Sequence, residues 1–263
     1  MRSALLPYLL MLVACGDADS KAPSAVAAAT PCTQQSFDSS RFTVCNAGNG
    51  RIELVAASRG ETPVRRLAGL EASLGGRARN VAFAMNAGMF DEDGRPIGLA
   101  IVAGKPVHAI NLKKGGGNFH LLPNGVFLVR RNGRAEVVSS ADYKPSKDIA
   151  FATQSGPMLV IDGKLHPAFD PDGQSRHVRN GVGIAPDGKP RFVISADPVS
   201  LGKFARFFRD ALKSRNALFF DGAVSALWDP ANSRRDMTVP LGPMVVVFKP
   251  AVSAPDRAGR ATP

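Results

Sequence analysis

Apolar residues recur along this chain in short blocks, bounded almost everywhere by Gly, Asn, Asp or Pro. Blocks of that length, rich in β-branched and aromatic residues, read as strands. They fall at 42–45, 52–56, 81–86, 99–102, 125–130 and 135–138, and again at 158–161, 181–185, 191–195, 217–221 and 244–248. Asn132-Gly133, Asp162-Gly163 and Asp187-Gly188 are turn dipeptides between strand blocks. Two stretches carry helical spacing instead. Thr62-Pro63 supplies a cap and a first-turn proline ahead of Val64, Leu67 and Leu74. Ser200 opens a second run with Leu201, Phe204, Phe208, Ala211 and Leu212 on one stripe. The pattern predicts helices over about 62–75 and 200–214. Few helices among many strands is an α+β fold, with mostly short β-strands in a mixed sheet arrangement and two main helices.

The first fifteen residues break this pattern. Arg2 precedes an apolar run over 4–14 that closes on Leu12-Val13-Ala14-Cys15. That run is too short to cross the ~30 Å hydrocarbon layer and reads as an export signal. The cysteine behind small residues resembles a bacterial lipobox, which implies cleavage before Cys15 and lipid on its sulfur. Residues 1–14 are then a lipoprotein signal peptide and 15–31 a flexible tether of Ala, Ser, Asp, Lys, Pro and Thr. Residues 32–249 form the domain and 250–263 a disordered tail. Gly16 follows the cysteine, so no aspartate signals retention at the inner membrane. The expected location is the cell envelope, lipid-anchored at the outer membrane and facing the periplasm.

Of the three cysteines, Cys15 is claimed by lipid, leaving Cys32 and Cys45. In an oxidising compartment that even remainder predicts a disulfide. The net charge of +11 raises nucleic acid as a partner, yet no basic helix or aromatic strand with interleaved Lys and Arg supports it. An anionic glycan or membrane surface fits the charge better.

Four segments place polar or glycine residues where a plain core strand would not. They are Asn86-Ala87-Gly88-Met89-Phe90 with Pro96-Ile97-Gly98, then Gln154-Ser155-Gly156-Pro157, Arg176-His177-Val178-Arg179-Asn180-Gly181, and Phe220-Asp221-Gly222-Ala223-Val224-Ser225. In this order they resemble the motifs of the phosphodiester glycosidase family, and of its bacterial envelope branch in particular. Asp162-Gly163-Lys164 also fits that pattern. The likeness spans roughly residues 40–249, with Ala87 and Ala223 where glycines are common and Phe220 where leucine is common. It implies hydrolysis of a sugar-1-phosphodiester of N-acetylglucosamine-1-phosphodiester type at the anomeric carbon.

That chemistry assigns roles. Glycoside cleavage passes through an oxocarbenium-like state that a carboxylate stabilises. A phosphate monoester leaving group has a second pKa of ~6, so it needs positive charge more than a proton. Arg179 is the candidate leaving-group clamp, because a guanidinium fork matches phosphate oxygens. Arg176 and His177 are helpers. Glutamate occurs five times and never after Glu136, so the carboxylate falls to Asp221, at a strand end before glycine. Asn86, Gln154, Ser155 and Ser225 are candidate substrate contacts. Gly88, Gly156 and Gly222 would let backbone N–H groups approach a ligand.

Other chemistries find less support. The Gly-x-Ser-x-Gly elbow is absent around Ser155. His108, His120, His166 and His177 lack metal-ligand spacing, and Asp91-Glu92-Asp93-Gly94 lacks the rest of a calcium loop. No metal site or required cofactor is read from the chain, and a divalent-cation requirement stays open. Two alternatives to the enzyme remain. One is a non-catalytic glycan-binding lipoprotein on the same fold. The other is a structural envelope protein whose polar motifs are only turns.

Overall fold

The computed structural model describes residues 30–221, 224–237 and 239–250. Cys15, the proposed signal, most of the tether, Gly222 and the tail beyond 250 lie outside the described residues.

The strands run in the order β1 (Cys32–Phe37), β2 (Ser40–Asn46), β3 (Ile52–Val55), β4 (Val81–Asn86), β5 (Ala100–Val102) and β6 (Lys105–His108). Next come β7 (Gly125–Arg130), β8 (Ala135–Ser139), β9 (Ile149–Ser155), β10 (Met158–Ile161), β11 (Lys164–Leu165) and β12 (Asn180–Ile184). The last are β13 (Pro190–Ser195), β14 (Ala217–Phe219), β15 (Leu227–Asp229), β16 (Arg234–Arg235) and β17 (Met244–Phe248). Helix α1 (Leu67–Leu74) precedes β4, and α2 (Leu201–Arg206) follows β13. The class is α+β.

Three sheets form. One has seven strands in the order β1-β2-β13-β12-β14-β10-β11. The second runs β16-β15-β4-β17-β3 and the third β6-β5-β9-β7-β8. Every pairing among the described strands is antiparallel. The inner faces of all three sheets bury one core that includes Phe83, Phe127, Phe151, Phe192 and Phe220. Phe127 meets Phe151 and Phe192 edge to face, at ring separations of 5.3 and 5.5 Å. Strand alternation sends the intervening residues outward. Ala217, Phe219 and Val193 of the seven-stranded sheet thus pack beneath Phe204, Phe207 and Phe208. Helix α1 seals the outer face of the second sheet with Leu67, Leu70 and Leu74.

Two expected boundaries shift. The first helix begins at Leu67 rather than near residue 62, and among the described residues no side chain caps it. The Arg65 carbonyl, needed as a helical acceptor, takes the Leu241 N–H at 2.8 Å instead. A contact distant in sequence therefore holds residues 62–66 out of the helix. The second helix keeps its Ser200 cap, which accepts from Lys203 N. It then widens into a π-helical turn over Phe207–Ala211. That turn seats Phe207 against Phe42, with ring centroids 4.1 Å apart.

Cys32 and Cys45 are bonded, and they are direct cross-strand partners in the β1–β2 hairpin. The segment before the first expected strand is thus itself a strand. Closing a loop with a sequence separation of 13 is worth about 3 kcal/mol in the chain-entropy picture. Replacing both cysteines with serine is expected to lower unfolding free energy by about that amount, read from the urea midpoint at unchanged m-value.

Candidate active site

The three sheets bring several sequence-selected residues to neighbouring strand ends. Asn86 ends β4, Ser155 ends β9, Arg179 stands immediately before β12, and Asp221 lies just past β14. Register relates the last two. Gly181 pairs with Phe219, and the Phe220 N–H donates to Asn180 O at 3.1 Å. Arg179 and Asp221 thus each lie one residue beyond this hydrogen-bonded pair. On the other side of β14, the Phe219 N–H donates to Pro157 O at 3.1 Å, and Ser155 Oγ donates to Phe220 O.

Asn86 and Asn180 join two sheets. Asn180 Nδ2 donates to both the carbonyl and the Oδ1 of Asn86, at 2.8 and 2.9 Å. Asn86 Oδ1 also accepts from Ala226 N at 2.8 Å, while its Nδ2 donates to Val224 O at 2.7 Å. One carboxamide thus clamps the loop that follows Asp221 and, among the described residues, retains a single uncommitted N–H. Ser225, on that loop, donates to Val178 O at 3.0 Å. Asp221 is buried at 7% exposure, and its Oδ1 accepts from Val224 N at 3.4 Å. Asn180 was not among the residues expected at the site. The available signal was a strand-disfavoured amide at the head of an apolar strand.

Arg179 is among the largest fully buried side chains, at 1% exposure. Its Nε donates to Val199 O at 2.7 Å and its Nη2 to Ser175 O at 2.8 Å, with the guanidinium 5.4 Å from the Phe219 ring. Among the described residues Nη1 has no hydrogen-bond partner and no carboxylate pairs with Arg179. Burial pushes its pKa down to about 10, so the group remains charged at neutral pH.

The other expected contacts are placed differently. Gln154 does not reach outward, because internal bonds fill its amide. Its Oε1 accepts from Leu99 N and Asn111 N, and its Nε2 donates to Asn111 O and Ser140 Oγ. It braces the chain after β6 instead. Gly88 and Gly156 are needed for close approach to protein rather than to an open cleft. A Cβ on Gly88 would lie 2.4 Å from Gln154 O, and one on Gly156 would lie 2.6 Å from Asn124 Cβ. Arg176 and His177 are exposed, on the segment whose Ser175 carbonyl holds Arg179. Among the described residues no three His, Cys, Asp or Glu side chains gather as a metal-ligand cluster.

Residues 79–248 match the model of the phosphodiester glycosidase family, well over half the chain. The chain belongs to that family. It is 38% identical over 148 residues to the uncharacterized protein YigE of Escherichia coli. That match covers 56% of this chain and 58% of YigE, so it spans little more than half of the relative's length. A zebrafish structure has a similar fold, with TM-score 0.55 and 17% identity over 83% of this chain and 81% of that one. It is the catalytic domain of N-acetylglucosamine-1-phosphodiester alpha-N-acetylglucosaminidase, auto-inhibited by its pro-peptide. A hypothetical protein from Synechocystis is similar at TM-score 0.52 and 13% identity, over 83% of this chain and 61% of that one.

Asn86→Ala is expected to cost about 3 kcal/mol of stability, because it strands Val224 O, Ala226 N and the Asn180 amide together. Combined with Asn180→Ala, denaturant unfolding should return a coupling energy of about 1–2 kcal/mol. Strict additivity would mean that the two amides do not act as one brace.

Proposed function

We propose that this chain hydrolyses a sugar-1-phosphodiester, breaking the bond between the anomeric carbon and the phosphate oxygen. The observation that carries this reading is the buried Arg179 guanidinium, which among the described residues has one nitrogen unpartnered and no carboxylate paired to it. A charge held in that state costs stability, and an anionic ligand would repay the desolvation. Asp221, one residue beyond the Asn180–Phe220 hydrogen bond that Arg179 also adjoins, is the second group this reading uses.

In this reading Arg179 pairs with the phosphate as the C–O bond lengthens. The bonding electrons leave with the phosphate oxygen, and the guanidinium stabilises the negative charge that develops. Asp221 faces the electron-poor anomeric carbon and stabilises it as a carboxylate. Water supplies the hydroxyl that completes the sugar, and its proton goes to solvent. A monoester leaves near neutral pH with little protonation, so the site requires no strong general acid beside the leaving oxygen. Asn86, through its uncommitted N–H, and Ser225, which is only half-buried, are the substrate contacts. The substrate carried over from the zebrafish enzyme's name is an N-acetylglucosamine-1-phosphodiester.

Asp221→Asn should remove turnover while keeping the fold, since only the charge changes. Arg179→Lys should lose roughly a hundred- to thousand-fold in rate, the usual effect of losing one preorganised contact. Arg179→Met should be as inactive, yet cost less than about 1 kcal/mol of stability. Relief of the guanidinium's desolvation offsets the lost bonds to Val199 and Ser175. Initial rates on one sugar phosphodiester, with thermal melts alongside, read all three. Near wild-type turnover in folded Asp221→Asn would show that the carboxylate lies elsewhere. Saturable binding without turnover by the wild type would make the chain a glycan-binding protein.

The setting we propose is the bacterial envelope, with the mature chain lipid-anchored through Cys15 at the outer membrane. Among the described residues no helix is long and apolar enough to cross a membrane. Mass spectrometry of the native N-terminus should find a diacylated, N-acylated Cys15. An unmodified N-terminus at any other residue would overturn the anchor.

A further inference from the structure

We propose that the end of the molecule opposite the candidate site is a docking surface for anionic phospholipid headgroups at a bilayer. A groove of about 1070 Å3 opens there. The sheets define the two ends. Site residues lie at the end of β9 and the head of β12, whereas the groove takes in Ala150 at the head of β9 and the 187–190 turn beyond β12. The β7–β8 turn at 130–134 forms another wall, and the edge strand β3 forms the side.

The groove is cationic. Arg51, Arg77, Arg130, Arg131, Arg134 and Lys189 line it, against Glu53 and Asp187 as the acidic lining residues. Glu53 bridges Arg51 and Arg77, and Arg130 is held by Glu136 and Asp148. Arg134 reaches Glu136 at 3.4 Å, and Asp187 is paired with Arg191. These pairs hold several guanidinium groups in place at the rim, where Arg51 and Arg134 remain 65% and 70% exposed. Arg131 and Lys189 have no carboxylate partner among the described residues. Arg131 Nε donates to Lys147 O, and Lys189 Nζ donates to Asn49 Oδ1. Guanidinium forks match phosphate oxygens, and an ordered cluster of them recognises phosphate better than scattered lysines would.

Two further observations favour a membrane over a soluble polyanion. The chain enters the fold at this same end. Asn46 N donates to Pro31 O at 2.8 Å, and Asn46 Oδ1 accepts from Gly48 N at 2.9 Å, a residue that lines the groove. Residues 16–29 separate Cys15 from Thr30 and can span at most about 50 Å. If Cys15 carries lipid, the tether leads from the bilayer to the groove end, which makes that end the nearest to approach it; this step alone rests on the anchor proposed above. In addition, among the described residues none of the exposed large hydrophobic side chains, Leu112, Leu122, Val178, Met237 and Val239, lines the groove. Apolar side chains such as Ile52, Val55 and Val102 also line the groove but are only part-exposed, so the contact is peripheral and carried by the charges, with no apolar wedge inserted. Docked this way, the chain holds the strand ends bearing Arg179 and Asp221 away from the bilayer.

The test uses residues 16–263, which keep every contact of the described fold and carry no lipid, so its outcome is independent of anchoring. Co-sedimentation is measured with vesicles containing about one-third phosphatidylglycerol and with pure phosphatidylcholine. Binding is expected only to the anionic vesicles and should weaken steeply with added salt. Arg131→Glu with Arg134→Glu should lower the partition coefficient at least roughly thirtyfold, given about fivefold per basic residue at an anionic surface. Lys189→Glu alone, a milder change, should lower it about fivefold or more. Turnover on a soluble phosphodiester should be unchanged in both, since neither touches the site. Equal binding to neutral vesicles would overturn the proposal. So would charge-reversed protein that is folded and still binds as the wild type does. Binding to a soluble anionic oligosaccharide without vesicle binding would assign the groove to a glycan instead.

Discussion

The carboxamide of Asn86 ties together parts of the chain that lie far apart in sequence. It takes the Asn180 amide from one sheet and the Ala226 N–H from the loop after Asp221, and it gives a hydrogen to Val224 O. All of this is buried, where an unmade hydrogen bond is costly. The ends of β4 and β12 and the loop at 224–226 therefore cannot shift independently. Asp221 begins that loop, and Arg179 stands one residue before Asn180, so the placement of both charged side chains follows from this amide pair.

Around that brace the protein distributes polarity unevenly. The three-sheet core is apolar and rich in phenylalanine, which makes it stiff and gives the strand ends fixed positions. Arg179 sits on the opposite face of the seven-stranded sheet, above Phe219 and held by two carbonyls rather than by an acid. Carbonyl dipoles orient a guanidinium without neutralising it. A paired carboxylate would have made the fold more comfortable and the group less available to an anion. Family membership and this electrostatic arrangement point the same way, from independent observations.

At the far end the chain solves a different problem. Turns rich in Gly, Asn and Arg close the hairpins, and most of the arginines are held by neighbouring acids instead of being buried. The cation at the site is desolvated and singular, whereas the cations of the groove are exposed and numerous. The first suits discrimination of one phosphate in one position. The second suits contact with many phosphates whose positions are not fixed.

Much of this was legible in the residues. Strands such as β4, β7, β10 and β17 appear where apolar blocks and turn dipeptides place them, because side-chain alternation is a local property. The polar segments at strand ends also stood out locally, and their order along the chain pointed to the family. Strand β9 did not stand out, although it is central in its sheet, because Ile-Ala-Phe-Ala-Thr-Gln-Ser has too few strong strand formers. The start of α1 was hidden for another reason, since it depends on which group takes the Arg65 carbonyl, and that group is Leu241. Gln154 looked like a ligand contact because an amide beside Ser-Gly-Pro has no local partner, yet Asn111 and Ser140 satisfy it in the fold. By itself, then, the sequence determined the class of element at most positions, the polar residues available at strand ends, and the cysteine pair. Only the tertiary structure decided which of those residues face one another, because register, burial and hydrogen-bond partners are set by chain segments tens to more than a hundred residues apart.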